Sequence, residues 1–90
     1  MSRSIRTPPI ANEAPKSTAL TTYDREHVSV YVRLLDAEAD GADWMEASLT
    51  VLRIDPIREP ARARLAWESH LSRAKWMAES GHSQLLHPVH

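Results

Sequence analysis

The residues that follow Thr22 show the hydrophobic spacing of an amphipathic helix. One apolar stripe repeats at the interval of a helix face and consists of Val28, Tyr31, Val32, Leu35 and Ala39. A smaller strip on the other side of the same helix consists of Val30, Leu34 and Ala37. We predict a first helix from about Tyr23 to Asp40, with a Thr cap at its start and Gly41 as its stop.

A second, short helix is predicted from about Trp44 to Leu52. Asp43 and Glu46 have the spacing of a capping box at its start, and the inward positions are Trp44, Ala47, Ser48 and Val51. The segment after this helix contains Pro56 and Pro60, which exclude a continuous helix because proline lacks an N–H group and disfavours helical geometry in the residue before it. Pro60 suits the first position of a third helix.

The third helix, expected from about Pro60 to Ser80, has two apolar sides. Its inward stripe consists of Ala63, Trp67, Leu71, Ala74 and Ala78, with Ala66, His70 and Met77 beside it. A second strip on the opposite side consists of Leu65, Ser69, Ser72 and Trp76. Because a surface helix needs only one apolar stripe, this helix is either central to the core or carries a partner site on its second strip.

The order of these elements predicts an all-α fold, a small domain of three to four helices. The second helix, the connection and the third helix have the order of a helix-turn-helix, but the connection from Arg53 to Glu59 is about twice as long as in the strict motif. By itself this order is a generic signal, because any three-helix domain contains two consecutive helices. Residues 1–21 contain three prolines among polar residues and show no period, so we expect a disordered N-terminal tail. Residues 22–90 would then form the helical domain with a short C-terminal tail.

Composition and charge exclude several classes of protein. The chain has 90 residues and no cysteine, which fits one domain without disulfides or a Cys-based metal site. Its net charge of −1 combines three bases and one acid in residues 1–21 with eight bases and eleven acids in residues 22–90. An acidic domain argues against a polybasic membrane or nucleic-acid binder. With no secretory signal or bilayer-length apolar run, we expect a cytoplasmic protein and no membrane partner.

No constellation of residues points to catalysis, so we expect neither an enzyme nor a cofactor or small-molecule ligand. His82, His87 and His90 cluster near the end of the chain but lack the ordered frame that a metal site needs, and no metal is expected. Five carboxylates follow one another with no base between them: Asp36, Glu38, Asp40, Asp43 and Glu46. They are either ordinary capping and solubilising residues or an acidic surface that repels DNA phosphate and attracts a basic protein.

Three stretches of the chain together resemble a small domain of proteobacterial regulators on integrative and conjugative elements. They are YDR at 23–25 with LLDAEADGADW at 34–44, LRIDP at 52–56 with REP at 58–60, and SHLSRAKWM at 69–77. Within that family the chain is most similar to the stand-alone, QseM-like antiactivators. The resemblance implies a helix-turn-helix variant with an extended turn, in agreement with the long connection before the third helix.

The resemblance also implies a partner. FseA-like activators of this family join the domain, with a basic DNA-binding face, to a second, N-terminal domain that packs on its opposite side. The antiactivators have a single domain with a negative surface, which binds the N-terminal domain of the activator and thereby blocks transcription of excision and transfer genes. We therefore expect an antiactivator that binds an FseA-like transcriptional activator through protein contacts and does not bind DNA itself.

The family supplies no contact residues, so we look for apolar residues that one small core cannot use. These candidate partner-binding residues are Tyr31, Leu34, Leu65, Trp76, Leu85 and Leu86. The plain alternative is that all of them belong to the core. A different function, a DNA-binding helix-turn-helix transcriptional regulator, would use the third helix through Arg58, Arg62 and Arg73.

Overall fold

Four α-helices form the part of the chain that the computed structural model describes, residues 9–81. They are α1 (Thr22–Glu26), α2 (Val28–Ala39), α3 (Trp44–Ala47) and α4 (Pro60–Trp76). Both α3 and α4 continue into a π-helical turn, Ser48–Leu52 and Met77–Gly81 respectively. Residues 9–81 contain no β-strand. This confirms the predicted fold class, a small all-α domain in which an extended connection joins two successive helices.

The first predicted helix is divided in two at His27. Thr21 caps α1, because its hydroxyl accepts the backbone N–H of Asp24 while the Asp24 carboxylate accepts the backbone N–H of Thr21. His27, with φ −116° and ψ 21°, leaves the helical conformation, and its buried ring stacks on Tyr23. The prediction of one continuous helix is therefore wrong. Its predicted end is confirmed, because Gly41 follows α2 in the left-handed conformation, with φ 84°.

The core lies between α2, α3 and α4, and α2 contributes residues from both of its apolar strips. Val30, Tyr31 and Leu34 are buried, whereas Val32 is 50% exposed. Tyr31 and Leu34 are only 2% and 1% exposed, so their assignment to an exposed partner-binding patch is wrong. A small domain has few large side chains with which to fill its interior, and it uses these two for that purpose.

The extended connection between α3 and α4 is confirmed and has a defined structure. Arg53 ends the π-helical turn in the left-handed conformation, with φ 61°. The carboxylate of Asp55 then accepts the backbone N–H groups of Ile57 and Arg58, which is a local turn that Asp favours. Pro60 occupies the start of α4, where its missing N–H costs no helical hydrogen bond.

Residues 9–20, which we name the arm, lie against the helices. Ala14 is 4% exposed, and Ile10 and Leu20 pack against the buried residues of the core. The prediction of a disordered tail over residues 1–21 is therefore wrong for residues 9–21, and residues 1–8 lie outside the described part of the chain. The folded unit begins before residue 22, because side chains of α1 and α4 and the His27 side chain bind the arm through its backbone.

The core face of α2 can be tested with a pair of substitutions. Leu34→Ala should lower the free energy of unfolding by about 2–5 kcal/mol, because it leaves a cavity in the interior. Val32→Ala, on the same helix but half exposed, should change it by less than about 0.5 kcal/mol. Urea unfolding followed by tryptophan fluorescence measures both, and equal losses would contradict this orientation of α2.

Candidate partner-binding surface

An open groove of about 360 Å³ runs between the arm and the outer side of α4. The residues that line it are Glu13, Ala14, Pro15 and Lys16 from the arm and Leu65, Glu68, Ser69, Ser72, Arg73 and Trp76 from α4. The α4 wall thus contains the whole second strip that the sequence singled out. The structure brings two of the predicted partner-binding residues together here: Leu65, which is 43% exposed, and the half-buried Trp76.

The side chain of Arg73 connects the groove to the arm and to α1. Its guanidinium donates to both carboxylate oxygens of Asp24, at 3.0 and 2.6 Å. It also donates to the backbone carbonyls of Ser17 and Ala19 in the arm. Its flat face lies 4.1 Å from the centre of the Trp76 ring, a cation–π contact. Arg73 therefore fixes the position of the arm and of a groove residue at the same time.

Asp24 is held in its charged form by the groups around it. Its burial by itself raises the pKa, but hydrogen bonds from Arg73, from Thr21 and from the Tyr31 hydroxyl outweigh the burial and lower the pKa of Asp24 to about 2. The hydrogen bond to Asp24 raises the pKa of Arg73. Burial and the carboxylate to which it donates raise the pKa of Tyr31. The pair is thus ionised throughout the physiological range.

A second cluster of buried polar side chains binds the first residues of the arm. The Tyr23 hydroxyl accepts the backbone N–H of Ala11 at 2.9 Å and lies 2.6 Å from Nε2 of His70. Nδ1 of His70 lies 2.7 Å from the carbonyl oxygen of Ala66. Because a carbonyl oxygen only accepts, Nδ1 carries the proton and Nε2 accepts from Tyr23. Burial lowers the pKa of His70, which favours this neutral form.

Further contacts to the arm come from α4 and from His27, the residue between α1 and α2. The Ser69 hydroxyl accepts the backbone N–H of Ala14 at 2.9 Å. The Arg62 side chain donates to the Asn12 side chain. Nε2 of the buried His27 ring lies 3.1 Å from the carbonyl oxygen of Pro9. Most of these contacts use the arm's backbone, so its side chains between them remain available to line the groove.

Each basic side chain of α4 is paired with a carboxylate. The pairs are Arg62 with Glu59, Arg64 with Glu68, Arg73 with Asp24 and Lys75 with Glu38. The assignment of Arg73 to a DNA-binding face is wrong, because its side chain is 5% exposed and bound to Asp24. Arg58 is exposed in the connection, and Arg62 is partly exposed. The three arginines of the DNA-binding hypothesis therefore do not form one exposed basic face.

The five carboxylates of the acidic run are all exposed, from the end of α2 to the start of α3. Asp43 caps α3 by accepting the backbone N–H of Glu46 at 2.9 Å. Glu38 pairs with Lys75 at 2.9 Å. The run therefore combines local structural roles with an exposed acidic surface, consisting of Asp36, Glu38, Asp40, Asp43 and Glu46.

Two features that build the groove were not predicted from the sequence: the arm and the Asp24–Arg73 pair. Asp24 was visible only as a helix-start residue and Arg73 only as one cation of a helix. Their pairing over 49 residues has no local signal in a single sequence. Leu85 and Leu86, like the histidines near the C-terminus, lie outside the described residues.

No protein-family model matches this chain, and no curated protein matches it. Within residues 9–81, the helices are too short or too polar to cross a membrane. In the same part of the chain, His, Asp and Glu side chains do not gather in groups of three or more that could hold a metal ion.

The titration of Asp24 gives a test of the buried ion pair. Because its pKa is lowered from 3.8 to about 2 in the folded protein, its contribution to stability is complete above about pH 4 and is lost as the pH falls towards 2. The stability of the native chain relative to Asp24→Asn should therefore fall by about 2 kcal/mol between pH 5 and pH 2. Urea unfolding of both proteins across this range measures the difference.

A parallel pH dependence of the two proteins would contradict the assignment to Asp24. His70 also makes a pH-dependent contribution to stability, since burial lowers its pKa and favours the neutral form. That contribution is complete above about pH 6.5 and is lost as the pH falls below this value. Burial, the largest cause of the lowered pKa, acts on His70 in both proteins, so most of this contribution cancels in the comparison and only the smaller effect of the Asp24 charge on His70 remains.

Proposed function

We propose that this protein is an antiactivator. It binds the N-terminal domain of an FseA-like transcriptional activator of conjugative-element excision and transfer, and it blocks activation without binding DNA. The proposal combines the sequence resemblance to QseM-like proteins with one observation: the outer side of α4 is an apolar groove, whereas the cations of the same helix are neutralised by carboxylates of the chain.

The groove favours the proposal of a protein partner, because it exposes apolar side chains whose positions are fixed by the surrounding contacts. Leu65 is 43% exposed, and Trp76 lies half-buried against the immobilised guanidinium of Arg73. Tryptophan and leucine side chains gain free energy when a partner removes them from water, and aromatic anchors of this kind can each contribute about 2 kcal/mol or more to binding. A partner that fills the groove would bury both side chains at once.

The charge distribution supports the same conclusion. Residues 9–81 contain nine bases and twelve acids, and the acidic run lies exposed at the corner between α2 and α3. DNA binding depends on lysine and arginine side chains that neutralise phosphates. Here the most buried cation of α4, Arg73, is already neutralised by Asp24. An acidic surface with paired cations favours a basic protein partner over DNA.

Two matched leucine substitutions test whether the groove is the binding surface. Leu65 and Leu49 are both exposed, by 43% and 53%, but only Leu65 lines the groove. Leu65→Ala should weaken binding to the purified N-terminal domain of the activator by about tenfold. Leu49→Ala should leave the affinity within about twofold. Isothermal titration calorimetry measures both, with thermal unfolding to check that each variant is folded.

Equal affinity of the two variants for the activator domain would contradict the groove as the binding surface. The DNA-binding alternative, through Arg58, Arg62 and Arg73, is tested with the promoter duplex of the transfer genes in a low-salt gel shift. We expect no retardation. Retardation that weakens as salt is added, and that is lost on Arg58→Ala, would favour the DNA-binding regulator instead.

A further inference from the structure

The arm forms one complete wall of the groove, and its contacts fix that wall on both sides of the lining residues 13–16. The contacts are the Arg62–Asn12 bond before this segment, the Ser69–Ala14 bond within it, and the Arg73 bonds to Ser17 and Ala19 after it. A wall held in this way is already ordered before a partner arrives. The partner then does not lose binding free energy to the ordering of the arm.

Displacing the arm from α4 would lower the stability of the folded protein. Arg73 is 6% exposed, and two of its hydrogen bonds end on carbonyl oxygens of the arm. A donor that loses its acceptor destabilises the fold, and Ala14, a residue of the arm itself that is buried in the folded protein, would also become exposed. A partner therefore binds more favourably beside the arm than in its place.

We propose that the arm is one half of the docking surface and stays in position when the partner binds. This rests on the proposed function and specifies where the activator domain docks. The partner inserts apolar side chains between Pro15 of the arm and Leu65 and Trp76 of α4. The interface is therefore a composite of an extended segment and a helix, and the surface of α4 alone is only half of it.

The charges at the groove indicate the chemistry of the inserted segment. Glu13 and Lys16 lie on the arm wall, and Glu68 lies on the α4 wall together with Arg73, which is already bound to Asp24. The cations paired with Glu13 and Glu68, Lys16 and Arg64, have side chains that are 79% and 49% exposed, so these pairs are weak and a partner's cations can replace them. With twelve acids against nine bases in residues 9–81, the complementary partner is an apolar protein segment flanked by lysine or arginine.

A reversible cross-link tests whether the arm stays in position. The backbone N of Ala14 lies 2.9 Å from the Ser69 hydroxyl, which places the two Cα atoms at most about 7 Å apart and near the range of a disulfide. The chain has no cysteine, so the double variant Ala14→Cys/Ser69→Cys can form one intramolecular disulfide only. Oxidation locks the arm against α4, and reduction releases it in the same sample.

We expect the oxidised variant to bind the purified N-terminal domain of the activator at least as tightly as the reduced variant. Loss of about tenfold or more in affinity on oxidation, with recovery on reduction, would overturn the proposal because it would show that the arm must leave. Absence of binding by the unmodified chain would overturn the proposed function itself, and the two failures are therefore distinguishable.

A second pair of variants tests the contact with the arm directly. Pro15→Asp places a charge on the arm wall, whereas Thr18→Asp places the same charge on an exposed arm residue outside the groove. We expect Pro15→Asp to weaken binding about tenfold and Thr18→Asp to change it by less than about twofold. Equal affinities of the two folded variants would overturn the role of the arm as a wall.

Discussion

Asp24 and Arg73 lie 49 residues apart in the sequence and meet in the interior, where the carboxylate belongs to the cap of α1 and the guanidinium to α4. Removing one member of such a buried pair costs about 3–5 kcal/mol, because the other charge is left without compensation. The same guanidinium binds two carbonyl oxygens of the arm and stacks on Trp76. The cap, the arm and the groove therefore depend on one ion pair.

This constraint bears on both proposed functions, binding of an activator protein and binding of DNA. A DNA-reading helix needs cations that are free to approach phosphates, whereas the cations of α4 are each matched by a carboxylate. The side of α4 that carries Arg73 is instead part of a groove with apolar residues. The use of a cation to organise the protein, rather than to bind a ligand, is consistent with a module that acts through protein contacts.

Local signals predicted much of the helical framework. The Asp43 cap, the stop at Gly41 and Pro60 at the start of α4 are properties of neighbouring residues, and the structure confirms each of them. The candidate surface was predicted in part, through the second strip of α4. The arm was missed because its order comes from helix side chains that bind its backbone, which its own composition does not reveal. The buried face of α2 was not predicted, since it combines residues of both apolar strips and periodicity alone does not choose between two sides of a helix.

The most direct test of the groove as the partner-binding surface uses the three tryptophans of the chain. Trp76 lines the groove. Trp44 and Trp67 are outside it and contact Arg64, whose guanidinium carbon lies 5.2 Å from the ring centre of Trp44 and 5.3 Å from that of Trp67. In a ¹⁵N–¹H spectrum of the labelled protein, each indole N–H gives its own signal. On addition of the activator's N-terminal domain, the Trp76 signal should shift or broaden more than those of Trp44 and Trp67, which lie outside the groove. Shifts of Trp44 and Trp67 with an unchanged Trp76 signal would contradict the groove as the binding surface.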